Sequence, residues 1–179
     1  MKIIIPVLIA LLLTGGKPYE RIAINLIYDF FSVYMEPEPE TENLPPRRES
    51  AYAEFFERIA EQEMVPVSIL ESVALAESRF RPWAMSPIRS DGFRDLGMFQ
   101  INERYLEWYA NKYNMAVMFD PLDYRIATVI AARHLRAMKE MFGSWEYAVI
   151  SYNCGASRVK TGTIPASTVR YFEKVWNDN

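Results

Sequence analysis

The chain has 179 residues, enough for one domain with a packed core and further length at an end. Half the residues are hydrophobic and 14% are aromatic, which excludes a disordered or low-complexity protein. A formal charge of −3 and a pI of about 5.3 argue against a nucleic-acid partner, because such a protein needs a basic face to neutralise phosphates. Cys154 is the only cysteine and His134 the only histidine, so there is no intrachain disulfide and no Cys/His metal set. Any chemistry is therefore expected from carboxylates, without metal or other cofactor.

In chain order, Lys2 precedes an apolar run from Ile3 to Leu13 that ends in Thr14-Gly15-Gly16. A basic start, a short apolar core and small residues predict an export signal over 1–16, delivering the protein to the periplasm or cell envelope. The alternative is an uncleaved anchor, although the run is shorter than the roughly 20 residues of a membrane span. No cysteine follows it, which excludes a lipoprotein anchor. Residues 17–49 hold two features. An amphipathic stretch from Tyr19 to Met35 has Ile22, Ala23, Leu26, Phe30 and Tyr34 at helical spacing, suited to packing on protein or to a membrane surface. A proline- and glutamate-rich linker follows, Glu36 to Glu42 and Pro45-Pro46-Arg47-Arg48.

Residues 50–179 read as one mainly α domain. Ser50 is placed to cap a helix from Ala51 to about Met64, and Pro66 breaks it. Val67 to Ser78 forms a second, almost wholly apolar helix, and Pro82 requires an end before it. A third is expected from Tyr105 to Tyr113. Asp120-Pro121 is expected to open a long fourth helix ending near Gly143, with Trp145–Asn153 and Ala166–Trp176 completing the set. The one β element expected is a short hairpin near Ser90 to Gly97.

The second helix carries two glutamates among apolar neighbours, Glu71 and Glu77. On a helix Glu77 lies over Leu70, Val73 and Ala74, surroundings that keep a carboxyl protonated near neutrality and able to donate a proton. Glu71 has equally apolar neighbours, so periodicity does not separate them. A salt-bridged glutamate fits the helix pattern as well as an acid does. Position favours Glu77, at the helix end beside the polar Arg79–Gly97 segment where a cleft can open. Asp95 follows in a glycine-containing stretch and is either a second glycosidase carboxylate or a turn-capping aspartate.

Four elements in order resemble the soluble lytic transglycosylase family. Glu77-Ser78-Arg79-Phe80-Arg81-Pro82-Trp83-Ala84-Met85-Ser86 is similar to its catalytic Glu-Ser motif, and Gly97-Met98-Phe99-Gln100 to its Gly-Leu-Met-Gln motif. Ser151-Tyr152-Asn153-Cys154-Gly155 is similar to its Ala-Tyr-Asn-x-Gly motif, and Ile164-Pro165 with Thr168-Val169-Arg170-Tyr171 to its closing helix. The resemblance implies a lysozyme-like fold and a peptidoglycan substrate, cut at the β-1,4 bond between N-acetylmuramic acid and N-acetylglucosamine. It also implies Glu77 as sole acid/base, a 1,6-anhydro product, and a sugar groove lined by Ser86, Gln100, Asn102, Tyr152, Asn153 and Tyr171. Tyr152 is expected to orient Glu77 or the substrate.

The segment between Ser86 and Gly97 is longer than the family's usual form. It is similar to transglycosylases of secretion and conjugation systems, and also to animal-type lysozymes, in which the residue matching Asp95 is the second catalytic carboxylate. Two alternatives follow: a hydrolytic lysozyme using Glu77 and Asp95, and a non-catalytic glycan-binding module. His134 is expected as a hydrogen-bonded, partly buried side chain on the apolar stripe of the long helix, and Cys154 as a small buried one. Met98 and Phe99 are expected in the core, whereas Trp83, Tyr105 and Trp108 are candidates for stacking on sugars.

Overall fold

The computed structural model describes residues 43–115 and 119–177. The predicted export signal and amphipathic stretch lie outside the described residues. Among the described residues no helix is long and apolar enough to cross a membrane.

Helix α1 (Ala53–Glu63) buries Phe56, Ile59, Ala60 and Glu63, the three- and four-residue spacing of one helix face. It ends at Met64, whose left-handed backbone directs its N–H to the carbonyls of Ala60 and Glu61. Pro66 then precedes α2 (Val67–Ser78), where every residue from Ser68 to Ala74 is buried. A helix apolar all round must sit inside the molecule, and α2 packs against α1, the long α4 (Tyr124–Phe142) and the closing α7 (Ala166–Asn177). Between α2 and α4 lie the strands β1 (Asp95–Leu96) and β2 (Ile101–Asn102), a 3-10 turn Glu103–Tyr105 and α3 (Leu106–Lys112). After α4 come α5 (Trp145–Cys154) and the short α6 (Ala156–Lys160), which was not expected from the sequence.

The core joins Phe56, Ile69, Leu70, Val73, Met98, Phe99, Ile130, Leu135, Val149 and Val175, all at most 1% exposed. Met98 and Phe99 are thus core residues, as expected. Buried Glu63 takes Arg133 Nε at 2.9 Å, tying α1 to α4.

Three boundaries differ from expectation. Ser50 does not cap α1; its hydroxyl accepts from Tyr52 N at 3.2 Å in the preceding turn, and the helix begins at Ala53. Asp120 likewise closes its own turn, accepting from Leu122 N at 2.8 Å, and Asp123 caps α4 by accepting from Arg125 N at 3.0 Å. The hairpin expected near Ser90–Gly97 is present and reaches further along the chain. Residues 89–92 form a turn, whereas the antiparallel ladder pairs Asp95 with Asn102 and Leu96 with Ile101 around Gly97–Gln100. Gly97 sets that reversal: its φ is +76°, and a Cβ there would collide with the Pro121 carbonyl oxygen. The end of the predicted linker is docked, with Pro45 buried and Leu44 packed on the core.

Candidate active site

The C-terminus of α2 is held by a sharp turn. Arg79 and Phe80 both have left-handed backbones (φ 56° and 59°), and their N–H groups return to Leu75 O and Ala74 O at 3.0 and 3.2 Å. For residues with a Cβ this conformation costs about 1 kcal/mol each, a strain that the surrounding bonds must hold. Ser78, buried beneath the turn, accepts from Arg81 N at 3.0 Å, and Pro82 is buried. The turn fixes the last α2 residues, and Glu77 emerges there into a groove.

That groove has a volume of about 1020 Å³. Glu77, Asp95, Gln100 and Asn102 line it from the α2 and hairpin side, Tyr105 from the 3-10 turn, Trp108 and Tyr109 from α3, and Tyr152 and Asn153 from α5. Its chemistry centres on Glu77. Burial against the apolar helix end pushes this carboxyl up to about 7, a hydrogen bond from Tyr171 opposes the rise, and the nearby Asp95 charge adds to it. Tyr171 Oη donates to Glu77 Oε1 at 2.7 Å. One turn on, Lys174 Nζ donates to Ala76 O at 2.8 Å, so α7 grips the end of α2 at two points. Burial holds the Tyr171 phenol well above its usual range, so it stays a donor.

Asp95 shares the groove but not the freedom of Glu77. It is 9% exposed, its carboxylate is ion-paired with Arg89, and Asn102 Nδ2 donates to it at 2.8 Å. Its backbone N–H donates to Ser86 Oγ at 2.8 Å. The carboxylate that the sequence offers as a second catalytic group is thereby built into the hairpin.

The expected groove residues divide. Gln100 lines the groove, while its side-chain amide donates to Gly97 O at 2.9 Å and steadies the reversal. Asn102 lines it and holds Asp95. Asn153 is exposed on the opposite wall, with Oδ1 accepting from Thr168 Oγ1 at 2.8 Å. Ser86 is not among the lining residues; its hydroxyl serves Asp95 N and donates to Pro87 O at 3.1 Å. Tyr171 stands behind Glu77 instead of in the lining. Tyr152 lines the groove, but it does not bond Glu77: its Oη donates to Phe99 O at 2.9 Å. The hydroxyl bonded to Glu77 is that of Tyr171. Tyr105 and Trp108 are 50% and 47% exposed in the groove, whereas Trp83, 69% exposed, lies outside it.

Glu71 is completely buried and salt-bridged. Arg47 donates to it through Nε at 2.8 Å and Nη2 at 3.0 Å, and Arg48 N donates at 2.9 Å. These partners, which lie in the predicted linker, give Glu71 a setting different from that of Glu77. His134 is held as expected, with Nδ1 2.8 Å from Tyr113 Oη, and it also lines the groove. Cys154 departs from expectation: it is partly exposed on the groove wall. Arg89 and Tyr109 were missed, since nothing in their spacing announces a groove. Among the described residues no cluster of His, Cys, Asp and Glu fits a metal ion.

Comparison with solved structures agrees on this architecture. The 70-kDa soluble lytic transglycosylase of Escherichia coli superposes with a TM-score of 0.61 at 23% identity, over 70% of this chain and 23% of that one. The same score is found for a 70-kDa soluble lytic transglycosylase in complex with bulgecin A, at 21% identity over 70% of this chain and 23% of that one. An inactive Glu-to-Gln mutant of the lytic transglycosylase Slt from Pseudomonas aeruginosa also scores 0.61, at 17% identity over 87% of this chain and 28% of that one. The chain thus spans about a quarter of the length of these proteins, and the likeness is one of fold. No curated protein sequence matches it. Residues 54–166, from α1 to the start of α7, match the Transglycosylase SLT domain, and the chain belongs to that family.

Proposed function

We propose that this protein is a peptidoglycan lytic transglycosylase, cleaving the β-1,4 bond between N-acetylmuramic acid and N-acetylglucosamine with Glu77 as its single acid/base. The observation that carries the reading is the setting of Glu77: a carboxyl raised to about 7 on a fixed helix end, with one oxygen bonded by Tyr171 and a long groove in front of it. A group poised near neutrality can both give and take a proton, as a two-step reaction on one residue requires. Glu77 protonates the glycosidic oxygen as that bond breaks. The resulting carboxylate then accepts the proton of the muramic 6-hydroxyl as this oxygen attacks C1, closing a 1,6-anhydro ring without water. Tyr171, bonded to Oε1, steadies the carboxylate between the two steps.

The captive state of Asp95 supports the anhydro product over hydrolysis. A base that activates water, or a nucleophile, needs an accessible oxygen, and each Asp95 oxygen already accepts a bond from the protein, Oδ2 from Arg89 and Oδ1 from Asn102. Asp95 then contributes negative charge that helps keep Glu77 protonated. The inactive Glu-to-Gln mutant of the Pseudomonas protein supports a carboxyl-dependent reaction in this family. The apolar run at 1–16 supports action in the cell envelope, where the substrate lies.

The test is digestion of purified sacculi by the Glu77→Gln protein. It folds and binds glycan, and release of soluble fragments falls by about 10²–10⁴-fold, the scale of a lost general acid. Turnover at the wild-type rate would refute the assignment. Glycan binding by the wild type without any cleavage would instead support the non-catalytic module.

A further inference from the structure

Three large apolar side chains stand in solvent close together in the chain and outside the groove: Trp83 at 69% exposure, Ile88 at 67% and Met85 at 52%. Residues 84–89 run antiparallel beside 93–97 as an outer edge of the hairpin. Gly97 N donates to Ala84 O at 2.8 Å, Ser86 N to Asp95 O at 2.9 Å and Arg89 N to Phe93 O at 2.8 Å. Along such an edge alternate residues face opposite ways. Ala84 and Ser86 turn to the hairpin and are half-buried, so Met85 and Pro87 face outward. Trp83 flanks them in the preceding turn and Ile88 stands before the next one. Trp83 contacts no other ring among the described residues.

The charge of this segment is opposite to that of the chain. Residues 79–104 hold five arginines against three acids, whereas the whole chain carries −3. Each acid is taken: Asp95 by Arg89, Glu103 by Arg94 and Asp91 by Arg104. Arg79 and Arg81, both exposed, have no acidic partner among the described residues, and both lie within four residues of Trp83. The patch therefore joins apolar tips to a surplus of cations. Apolar tips that project from a strand edge suit a fluid medium, which needs no matching shape. An indole favours the boundary between headgroups and acyl chains, and arginines beside it reach phosphate. A glycan would stack on Trp83, but its neutral sugars use neither the exposed Met85 and Ile88 nor the surplus charge.

We propose that Trp83, Met85 and Ile88 dip into the surface of an anionic lipid bilayer, with Arg79 and Arg81 on its phosphates. The site is independent of the reaction at Glu77 and uses other residues than the apolar run and amphipathic stretch near the N-terminus. Arg89, at the far end of the same edge, lines the groove, so docking holds the groove beside the bilayer. On the glycan-cleaving reading, the strands within reach are those nearest the membrane.

The test needs no cleavage. Tryptophan emission of the full-length protein is read on vesicles of phosphatidylcholine mixed with phosphatidylglycerol, whose acyl chains carry bromine and quench indoles that reach them. Tryptophan occurs at 83, 108, 145 and 176 and nowhere in residues 1–42, so lipid contact by the N-terminal segment is silent. The difference between wild type and Trp83→Phe isolates the quenching of Trp83, and a side chain so exposed is replaced without threat to the fold. Wild type is expected to be quenched and Trp83→Phe to lose that quenching. The equilibrium between docked and free patch, read from Trp83, is expected to fall roughly tenfold in Ile88→Ser, the scale of one aliphatic side chain left in water. On phosphatidylcholine alone it is expected to fall about thirtyfold, the product of about fivefold for each of two arginines. Equal quenching of wild type and Trp83→Phe overturns the proposal and leaves the patch to a protein partner, even if the chain stays on the vesicles. Trp83 quenching that survives both Ile88→Ser and the loss of anionic lipid overturns it as well.

Discussion

At Glu77 burial and a single hydrogen bond compete over one proton. Burial favours the neutral acid, the Tyr171 hydroxyl favours the carboxylate, and the balance lies at about 7. Because cleavage starts from the protonated form, kcat/KM is expected to be full below this value and to fall as pH rises through it. Tyr171→Phe removes the bond that favours the carboxylate. Its pH–rate curve on glycan strands should move to higher pH by about one unit, since a hydrogen bond to a charged group contributes about 1.5 kcal/mol or more. A purely structural Tyr171 would lower the rate without moving the curve. The same carboxyl costs stability. Its folded value lies above the unfolded 4.5, so the folded state binds more protons in between, and stability drops as pH rises through that interval. Glu77→Gln should therefore melt higher than wild type at pH 8, by the equivalent of about 3 kcal/mol, and close to wild type at pH 4. Thermal unfolding at the two pH values measures this directly.

At the scale of elements, α2 is tied at its C-terminus and its middle by side chains from other parts of the chain. Tyr171 and Lys174 of α7 hold its C-terminus, and Arg47 holds its middle through Glu71. Glu71→Ala discards three charge-assisted hydrogen bonds and leaves space in a closed site, so it should lower stability by about 2 kcal/mol or more in chemical denaturation. Glu71 is distant in role from the reaction, and the folded fraction should still cleave sacculi. The existence and order of α1, α2, α4, α5 and α7 were legible because their apolar spacing and proline punctuation are strong. Helix starts were less so: Ser50 and Asp120 are good caps by type, yet each closes a local turn, and Asp123 competes within three residues. The ladder of β1 and β2 reaches past the expected hairpin because its reversal depends on Gly97 meeting the Pro121 carbonyl, a contact across 24 residues that spacing does not reveal. For the same reason periodicity left Glu71 and Glu77 equivalent until position and motif resemblance intervened. Their difference lies in Arg47 and Tyr171, far away in the chain. Ser86 and Tyr171 carry family motifs, but their side chains support the site from behind its lining.

At the largest scale, the described residues combine a closed core with a large open groove. A volume of about 1020 Å³ sits at the top of the roughly 300–1,000 Å³ range of small-molecule sites, as suits a polymer engaged over several units. Exposed Tyr105 and Trp108 line the groove beside amides from Gln100 and Asn153, a mixture suited to sugar rings and their hydroxyls. The central claim is that Glu77 acts alone and that Asp95, held by Arg89 and Asn102, activates no water. Mass spectrometry of the fragments released from sacculi by the wild-type protein tests it most directly. The account predicts muramic ends closed as 1,6-anhydro rings, lighter than hydrolysed ends by one water. Reducing muramic ends as the main product would contradict it and make Asp95 a catalytic partner.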